Sequence, residues 1–459
     1  MNWQNTPRDE PYNSEVSDLT LFDLFYGDKS GWYEEKDGKM VWAKSYELNI
    51  LFWRAVRREK ILMEDFDFSA FVFPQFFEDS FWSTKERREF KGYANFKKTT
   101  FMGVADFSKV AFLESADFKG AIFSDAAYFD IVKFSGDANF ESINFSRGAG
   151  FESTTFSGKS VFSNTTFSGD AYFRFSSFLK DAFFWFSTIS GVANFGLVKF
   201  LGEVSFNRTS INSALFEDTY FSSDSRCLFK EWKIGEGKKD SYLDRVISFR
   251  DVIFPDTVQF QRCNMNDVQF QSCDFVKVNF SNCKFPRSKN RIVLANDNDR
   301  DYGDIANMYR QMKLNRMNAK DWRDAGDAYR SEMVITQRQL WQEFKEGQLL
   351  KYFNWLIMAL HGGLSGYQQS MTRPLAWLFG LWLVVPVILF FSDYGVYESM
   401  GIKIWEATKT SFDAALPLAG KIDLKQYDRA VYFLLLFERV LSIVLLTFFG
   451  LATRARLRQ

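Results

Sequence analysis

Residues 105–123 read ADFSKVAFLESADFKGAIF, and the aromatic rings in this stretch recur at uneven steps. Phe107, Phe112, Phe118 and Phe123 are separated by five, six and five residues. An amphipathic helix repeats its apolar face every three or four residues, and a half-buried strand repeats it every second residue. Neither period explains the spacing, so the repeating unit is larger than a helical turn or a strand pleat.

The alternation of five and six residues continues from Phe96 to Phe184, which makes the true repeat eleven residues long. A small residue lies two positions before every second ring, as Ala94 does before Phe96. This pattern is typical of a chain that winds around a narrow axis and stacks coil on coil. The rings predicted to form the structural ladder are Phe96, Phe107, Phe118, Phe129, Phe140, Phe151, Phe162, Phe173 and Phe184.

The triplets Ala94-Asn95-Phe96, Ala105-Asp106-Phe107 and Ala116-Asp117-Phe118 give this segment a family resemblance. It resembles the pentapeptide-repeat family, whose consensus is A-(D/N)-(L/F)-x-x, and departs from it by an extra residue in every second step. From Phe260 to Phe285 the step is a strict five, which is the family pattern without the extra residue. The resemblance implies a right-handed, four-sided β-helix, in which sides of five, six, five and six residues make a coil of twenty-two with equivalent rings stacked about 4.8 Å apart. The predicted fold class is therefore a β solenoid followed by α-helices.

Changes in pattern divide the chain into seven predicted segments, most of them bounded where the spacing of the phenylalanines begins, breaks or ends. They are an N-terminal capping region at 1–89, the phenylalanine-rich solenoid at 90–221, an inserted loop at 222–245, strict pentapeptide repeats at 246–290, a helical connector resembling that of membrane-attached family members at 291–350, an interfacial helix at 351–373 and a membrane domain at 374–459.

Composition and motifs argue against several classes of function. Lys plus Arg equals Asp plus Glu at 57 each, so no overall charge favours a nucleic acid, and none is expected as a partner. The chain has one histidine and lacks the P-loop, the G-x-G-x-x-G helix and the H-E-x-x-H motif. We therefore predict that the protein is not an enzyme and has no catalytic residues, no cofactor and no metal site.

Two stretches near the C-terminus are long and apolar enough to cross a bilayer whose hydrocarbon core is about 30 Å thick. Residues 374–391 contain no charge, and residues 432–451 contain only Glu438 and Arg439. We read both as transmembrane helices, with the lipid bilayer as a partner. Because the N-terminus is polar and acidic and carries no secretory signal, we expect a multi-pass protein of the cell inner membrane with both termini cytoplasmic.

Between these stretches, residues near 403–416 predict a short helix that Pro417 ends. Two transmembrane helices around a re-entrant helix resemble the ion-channel-like ending of some bacterial pentapeptide-repeat proteins, which implies a pore. The potassium-channel filter T-V-G-Y-G is replaced by LPLAGKIDL, so potassium selectivity is not supported. The pore or intramembrane candidates are Glu438, Arg439, Ser411, Asp413 and Pro417.

Glu438 and Arg439 are costly in a membrane, where ionisable residues usually face a partner or water. One interpretation places them near the outer headgroups, paired with loop charges or a neighbouring subunit. The other places Glu438 in a cation path. Since adjacent residues point about 100° apart on a helix, we predict that the two side chains cannot face the same neighbouring element.

Two functions remain open at this stage. In the first, the helices of several identical subunits form an ion channel or pore that the cytoplasmic solenoid gates; two helices alone cannot enclose an aqueous path, so this requires a homo-oligomer. In the second, the helices anchor a nonconducting scaffold whose solenoid binds a partner protein, since solenoids offer extended binding faces. The charged pair at Glu438 and Arg439 and the amphipathic loop favour the pore.

Overall fold

The computed structural model describes most of the chain and divides it into two compact units, Met1–Pro286 and Arg287–Gln459. The first unit is a β solenoid, and the second is mainly helical. The described residues are 33–36, 39–42, 52–74, 76, 81, 88–234, 246–288, 291–294, 296–297, 301–367, 370–392, 400–415 and 429–457.

The solenoid has about eight turns between residues 89 and 281. Short parallel strands stack in register on four sides of each coil. Ala94 pairs with Ala116, and Ala116 pairs with Ala138, which sets the coil length at twenty-two residues. The predicted β solenoid followed by helices is confirmed.

Two of the four sides are separate sheets. The first side contains nine strands, which are Ala94–Asn95, Ala116–Asp117, Ala138–Asn139, Ser160–Val161, Ala182–Phe183, Val204–Asn207, Cys227–Lys230, Val258–Gln261 and Asn279–Ser281. The fourth side contains seven, which are Glu89–Phe90, Ala111–Phe112, Lys133–Phe134, Thr155–Phe156, Ser177–Phe178, Lys199–Phe200 and Tyr220–Phe221.

The second and third sides belong to one sheet, because the strands Thr188–Asn194 and Ser210–Glu217 each run through both sides. The other strands of the second side are Val72–Phe73, Thr100–Phe101, Ile122–Phe123, Asn144–Phe145, Thr166–Phe167 and Lys233–Ile234. Those of the third side are Ala105–Asp106, Ala127–Tyr128, Ala149–Gly150, Ala171–Tyr172, Ile247–Arg250 and Val268–Gln271.

Stacked phenylalanines fill the axis of the solenoid. Phe118 lies 4.7 Å from Phe96 and 5.1 Å from Phe140, with the rings within 3° of parallel. Rings on adjacent sides meet edge to face, as Phe118 and Phe129 do at 5.4 Å and 85°. Each ring is fully buried, and burial of a phenylalanine contributes roughly 2 to 3 kcal/mol. The aromatic column is therefore the main apolar core of the first unit.

The aromatic ladder begins before residue 90, where the solenoid was predicted to start. Phe68 stacks on Phe96 at 4.9 Å, and Trp53 stacks on Phe73 at 5.2 Å, so part of the predicted capping region already continues the aromatic columns. Residues 52–56 are helical and lead into the π-helical turn Arg57–Ile61. The hairpin Tyr33–Lys36 and Lys39–Trp42 also belongs to this region.

The predicted inserted loop at 222–245 is wrong for part of its length. The strand Cys227–Lys230 pairs with Val204–Asn207 on one side and with Val258–Gln261 on the other. Extra residues are accommodated between strands while the strands themselves keep their register, so uneven spacing in sequence does not break the sheet. Residues 235–245 lie outside the described part of the chain.

A left-handed backbone position occurs once in each eleven-residue repeat, and the sequence gives little sign of it. These positions have φ between 54° and 70° and hold many residue types. They are Lys98, Lys109, Gly120, Ile131, Ser142, Ser153, Asn164, Phe175, Phe186, Leu197 and Arg208. The left-handed conformation costs an ordinary residue roughly 1 to 2 kcal/mol, and asparagine tolerates it best after glycine.

Ile131→Asn is therefore expected to raise the free energy of unfolding by about 1 kcal/mol. Ile131 is 57% exposed and has a φ of 60°, so the change relieves strain and removes little core. Asn164 lies three repeats later and has a φ of 57°. The reverse change there, Asn164→Ile, should destabilise the protein by a similar amount. Urea unfolding of both variants measures the two changes in the free energy of unfolding. An Ile131→Asn variant less stable than the parent chain would contradict this account.

The second unit contains six described helices and one described hairpin. The hairpin pairs Arg287–Ser288 with Arg291–Ile292. The helices are α1 Tyr302–Asn318, α2 Trp322–Lys345, α3 Leu349–Ser365, α4 Thr372–Phe391, α5 Met400–Ala415 and α6 Arg429–Leu457.

Helices α1 and α2 form the predicted connector and pack side by side. Asp301 and Asp321 cap their first turns by accepting hydrogen bonds from backbone amides three residues later. Glu332 of α2 accepts hydrogen bonds from Arg310 and Lys313 of α1 at 3.0 and 2.9 Å. These contacts hold α1 against α2.

Candidate functional site

Helices α4 and α6 are long and apolar enough to cross a membrane. Their most apolar windows have mean hydropathies of 2.3 and 2.1, and only 22% of each window is buried in the structure. Large apolar side chains point outward, among them Leu383 at 71% and Phe391 at 78% exposure. The predicted segments 374–391 and 432–451 fall inside these two helices.

Helix α5 runs alongside half the length of α4. The Nζ atom of Lys403 lies 5.3 Å from the centre of the Phe390 ring, near the end of α4. The ring of Phe412 lies 5.4 Å from that of Trp382, at the middle of α4. Eight residues of helix span about 12 Å, so α5 extends from the end of α4 to about its midpoint. The observed helix Met400–Ala415 overlaps the short helix predicted near 403–416.

Small residues let α5 approach both long helices closely. Ala407 and Ala414 belong to one buried cluster with Val385 and Leu389 of α4 and with Leu435 of α6. On α6 the buried positions recur every three, four or seven residues. That stripe contains Val431, Leu435, Glu438, Ser442, Leu445 and Ala452. Two polar residues thus occupy a helical face that is otherwise apolar.

Glu438 is fully buried and contacts the last turn of α5. The hydroxyl of Ser411 donates a hydrogen bond of 2.5 Å to Oε1 of Glu438, and the Ser411 side chain is itself buried. Among the described residues, Oε2 of Glu438 and Oγ of Ser442 have no hydrogen-bond partner. The site therefore joins one bonded pair and two buried oxygens with unused hydrogen-bonding capacity.

Arg439 contacts the same turn of α5 through backbone carbonyls. Its Nε donates to the Ala414 oxygen at 3.0 Å, and Nη2 donates to the Asp413 oxygen at 3.4 Å. The last carbonyls of a helix lack intrahelical partners, and a cation near them is stabilised by the helix dipole. Arg439 therefore acts as a side-chain cap for α5.

The prediction that Glu438 and Arg439 cannot face the same neighbouring element is wrong. Both reach α5, because Ser411 and Ala414 lie nearly one turn apart and the long arginine side chain spans the difference in direction. In the described part of the chain, the Glu438 carboxylate accepts a hydrogen bond from Ser411, and the loop residues 416–428 lie outside that part. Glu438 also lies nine residues into α6, about 13.5 Å from its start.

The outward face of α5 carries the remaining described candidate. Thr408, Lys409 and the side chain of Asp413 are exposed on this helix, and Phe412 is 47% exposed beside them. The structure thus places Glu438, Arg439, Ser411 and Asp413 around one helical turn. Pro417 lies outside the described residues.

Helix α3 exposes an apolar face, whereas its other side contacts neighbouring helices. Leu350 and Ile357 are 81% and 65% exposed. On the packed side, Trp355 lies 4.8 Å from Trp341 of α2, and Trp377 of α4 donates to the Gly363 carbonyl at 3.3 Å. The predicted interfacial segment 351–373 overlaps this helix, which begins at Leu349 and ends at Ser365.

Ser442 is the member of the site that the sequence interpretation missed. It lies one helical turn after Glu438 in a stretch that is otherwise almost entirely apolar. A polar residue four positions from a buried carboxylate was the available signal, because residues i and i+4 share a helix face.

Comparison with known families agrees with the fold. Residues 89–130 match the model of one family described as pentapeptide repeats (9 copies), and residues 258–289 match that of another described as pentapeptide repeats (8 copies). No curated protein and no solved structure matched the chain. The solenoid is therefore built of pentapeptide repeats. The chain thus contains pentapeptide repeats and also carries two C-terminal helices able to cross a membrane by length and composition.

Proposed function

We propose that the helical unit inserts into the cell inner membrane and that several copies assemble an ion-conducting pore gated by the cytoplasmic solenoid. In this arrangement α4 and α6 cross the bilayer, both termini are cytoplasmic, and α3 lies in the interface with its apolar face toward lipid. The proposal assigns the protein no catalytic activity.

The observation that carries the proposal is the exposed face of α5, which combines the charged side chains of Lys409 and Asp413 with the apolar side chains of Trp405 and Phe412. Lys409 and Asp413 lie on this face, and the turn that contains Asp413 is beside the middle of α4. At bilayer depth such charges require water or a partner, since lipid does not solvate them. One protomer cannot surround the face with water, so we infer that a symmetric homo-oligomer turns it toward a central aqueous path.

The expected selectivity follows from the groups on α5. Asp413 contributes a carboxylate near the end of the helix, and a ring of carboxylates favours cations. The sequence after α5 lacks the backbone filter that selects potassium, so we expect a cation preference without strong discrimination between sodium and potassium.

Flux through reconstituted protein tests the proposal. In liposomes, the purified chain is expected to conduct cations in preference to anions, and Asp413→Asn to reduce that preference severalfold by removing the ring of charge. Asp218→Asn removes an exposed carboxylate from the solenoid and serves as the matched control. An oligomeric protein that carries no current at any tested voltage or ligand would overturn the pore.

A nonconducting scaffold is the second candidate, and exposed aromatic residues on the solenoid favour it. Trp185 is 39% and Phe186 is 49% exposed, and Arg208 lies 5.7 Å from the Phe186 ring centre. Aromatic and arginine side chains are enriched in protein interfaces. The scaffold would be favoured if a partner protein bound the parent chain but not Trp185→Ala, and if the protein carried no ion flux.

A further inference from the structure

Three helices of the second unit enclose a small polar site in an apolar setting. The side chains of Glu438, Ser442 and Ser411 are 0%, 0% and 1% exposed, and they come from α6 and α5. Val385 and Leu389 of α4 belong to the buried apolar cluster that joins α5 and α6 next to these residues. The site is distinct from the exposed outer face of α5, where we place the conducting path.

The charge of Glu438 is not balanced by the groups around it. No ion pair involves its carboxylate within the described ranges, and Arg439 is directed to the carbonyls of Asp413 and Ala414. The charged residues of the surrounding helices lie elsewhere. They are Arg373 in the first turn of α4, the half-buried Lys403 and Glu406 and the exposed Lys409 and Asp413 of α5, Arg429 and Arg454 of α6, and His361 of α3 beside Phe448.

An ionised carboxylate with one hydroxyl partner is unfavourable in an apolar interior, because burial removes its hydration. A bound positive charge would offset that cost. All available donors are oxygens, which suits hard cations, and one carboxylate with two hydroxyls matches a single positive charge better than a divalent ion.

We propose that Glu438, Ser411 and Ser442 bind one small monovalent cation, a proton or Na⁺, inside each protomer. Both ligands share the chemistry of satisfying carboxylate and hydroxyl oxygens. A bound cation stabilises the contact between Ser411 and Glu438 and so holds the end of α5 beside the conducting path. Only this effect on the conducting path rests on the proposed function; the cation site itself does not.

The test follows unfolding of the full chain, so it does not depend on conduction. Purified protein in detergent micelles is heated while its tryptophan fluorescence is recorded. In one arm NaCl replaces N-methylglucamine chloride at constant pH and ionic strength. In the other the pH is lowered without sodium. We expect the midpoint of unfolding to rise with sodium in the first arm if Na⁺ binds, or upon acidification in the second if a proton binds.

Glu438→Gln keeps the shape of the side chain and removes its charge, so it should abolish the response that the parent chain shows. Glu406→Gln is the control, because it removes a half-buried carboxylate of α5 that is not part of the site, and it should retain that response. Other titrating groups affect both chains equally, so the difference between Glu438→Gln and the parent reports the site.

Ser442→Ala covers the case in which Glu438→Gln does not fold. It should raise the half-saturating cation concentration about tenfold, since one ligand is lost. The cation site would be overturned if the parent chain and Glu438→Gln responded equally in both arms. It would also be overturned if Ser442→Ala left the half-saturating cation concentration unchanged. Either outcome would contradict the cation site but not the proposed pore. Conversely, an absence of ion flux together with an intact cation response would contradict the pore but not the cation site.

Discussion

Phe140→Ala is expected to lower the free energy of unfolding of the solenoid by about 3 to 5 kcal/mol. Phe140 is fully buried and stacks between Phe118 at 5.1 Å and Phe162 at 4.9 Å. It also meets Phe129 and Phe151 edge to face, each at 5.4 Å. The neighbouring coils cannot collapse into the cavity, because parallel backbone hydrogen bonds hold them at a fixed separation. The loss should therefore fall at the high end for a core residue.

Urea unfolding followed by circular dichroism measures this change. Phe186→Ala is the matched control, because Phe186 is 49% exposed and its main ring contact is with Arg208. The control should lose less than about 1 kcal/mol. Comparable losses for the two variants would mean that the stacked column does not dominate the stability of the solenoid.

The solenoid was predictable from the sequence because its period lies in one residue type. Phenylalanine marks each side of a coil, so position in the sequence translates directly into position on the axis. Features that depend on the backbone were not visible. The left-handed turn accepts Lys109, Ile131 and Phe175 as well as Gly120, so glycine does not mark it consistently.

A second hidden feature is a series of buried hydroxyls between coils. Thr165, Ser187 and Thr209 donate to the carbonyls of Phe140, Phe162 and Phe184 in the preceding coil. The equivalent positions Val132 and Ile143 are apolar in earlier coils, and so the hydroxyls form no continuous motif. Their role becomes evident only when the coils are stacked.

The sequence predicted most residues of the polar site in the helices, with Ser442 missed, but it did not predict their arrangement. Charged residues in apolar stretches identify Glu438 and Arg439, but Ser411 lies 27 residues before Glu438. Their contact depends on how closely α5 packs between α4 and α6, which small residues such as Ala407 and Ala414 allow. Sequence spacing contains no information on that packing.

Asp297→Asn is expected to destabilise the helical unit by about 3 kcal/mol. The Asp297 side chain is 3% exposed and accepts two hydrogen bonds from Arg291 at 2.8 and 2.7 Å. Arg338 of α2 donates at 3.2 Å and the Tyr309 hydroxyl of α1 at 2.6 Å. One carboxylate thus joins the hairpin to both connector helices, and its neutralisation leaves Arg291 buried without a counter-ion.

The same carboxylate gives the unit a defined dependence on pH. Burial alone would raise the pKa of Asp297, but hydrogen bonds from Arg291 and Tyr309 and the charges of Arg291 and Arg338 lower it below its ordinary value. A folded-state pKa below the unfolded value, about 3.9, means that the contribution is complete above that pH. It is lost as the pH falls through the folded-state pKa.

Thermal unfolding of the full chain in detergent from neutral to acidic pH tests both aspects. The parent chain should lose stability on acidification, whereas Asp297→Asn should be less stable at neutral pH and show a smaller further loss. Glu346→Gln alters an exposed carboxylate at the end of α2 and should follow the parent curve. If Asp297→Asn were as stable as the parent chain at neutral pH, the Arg291–Asp297–Arg338 network would not be what fixes the hairpin to the helices. The apolar side chains of Ile292 and Leu294, which are also buried, would then have to provide that contact.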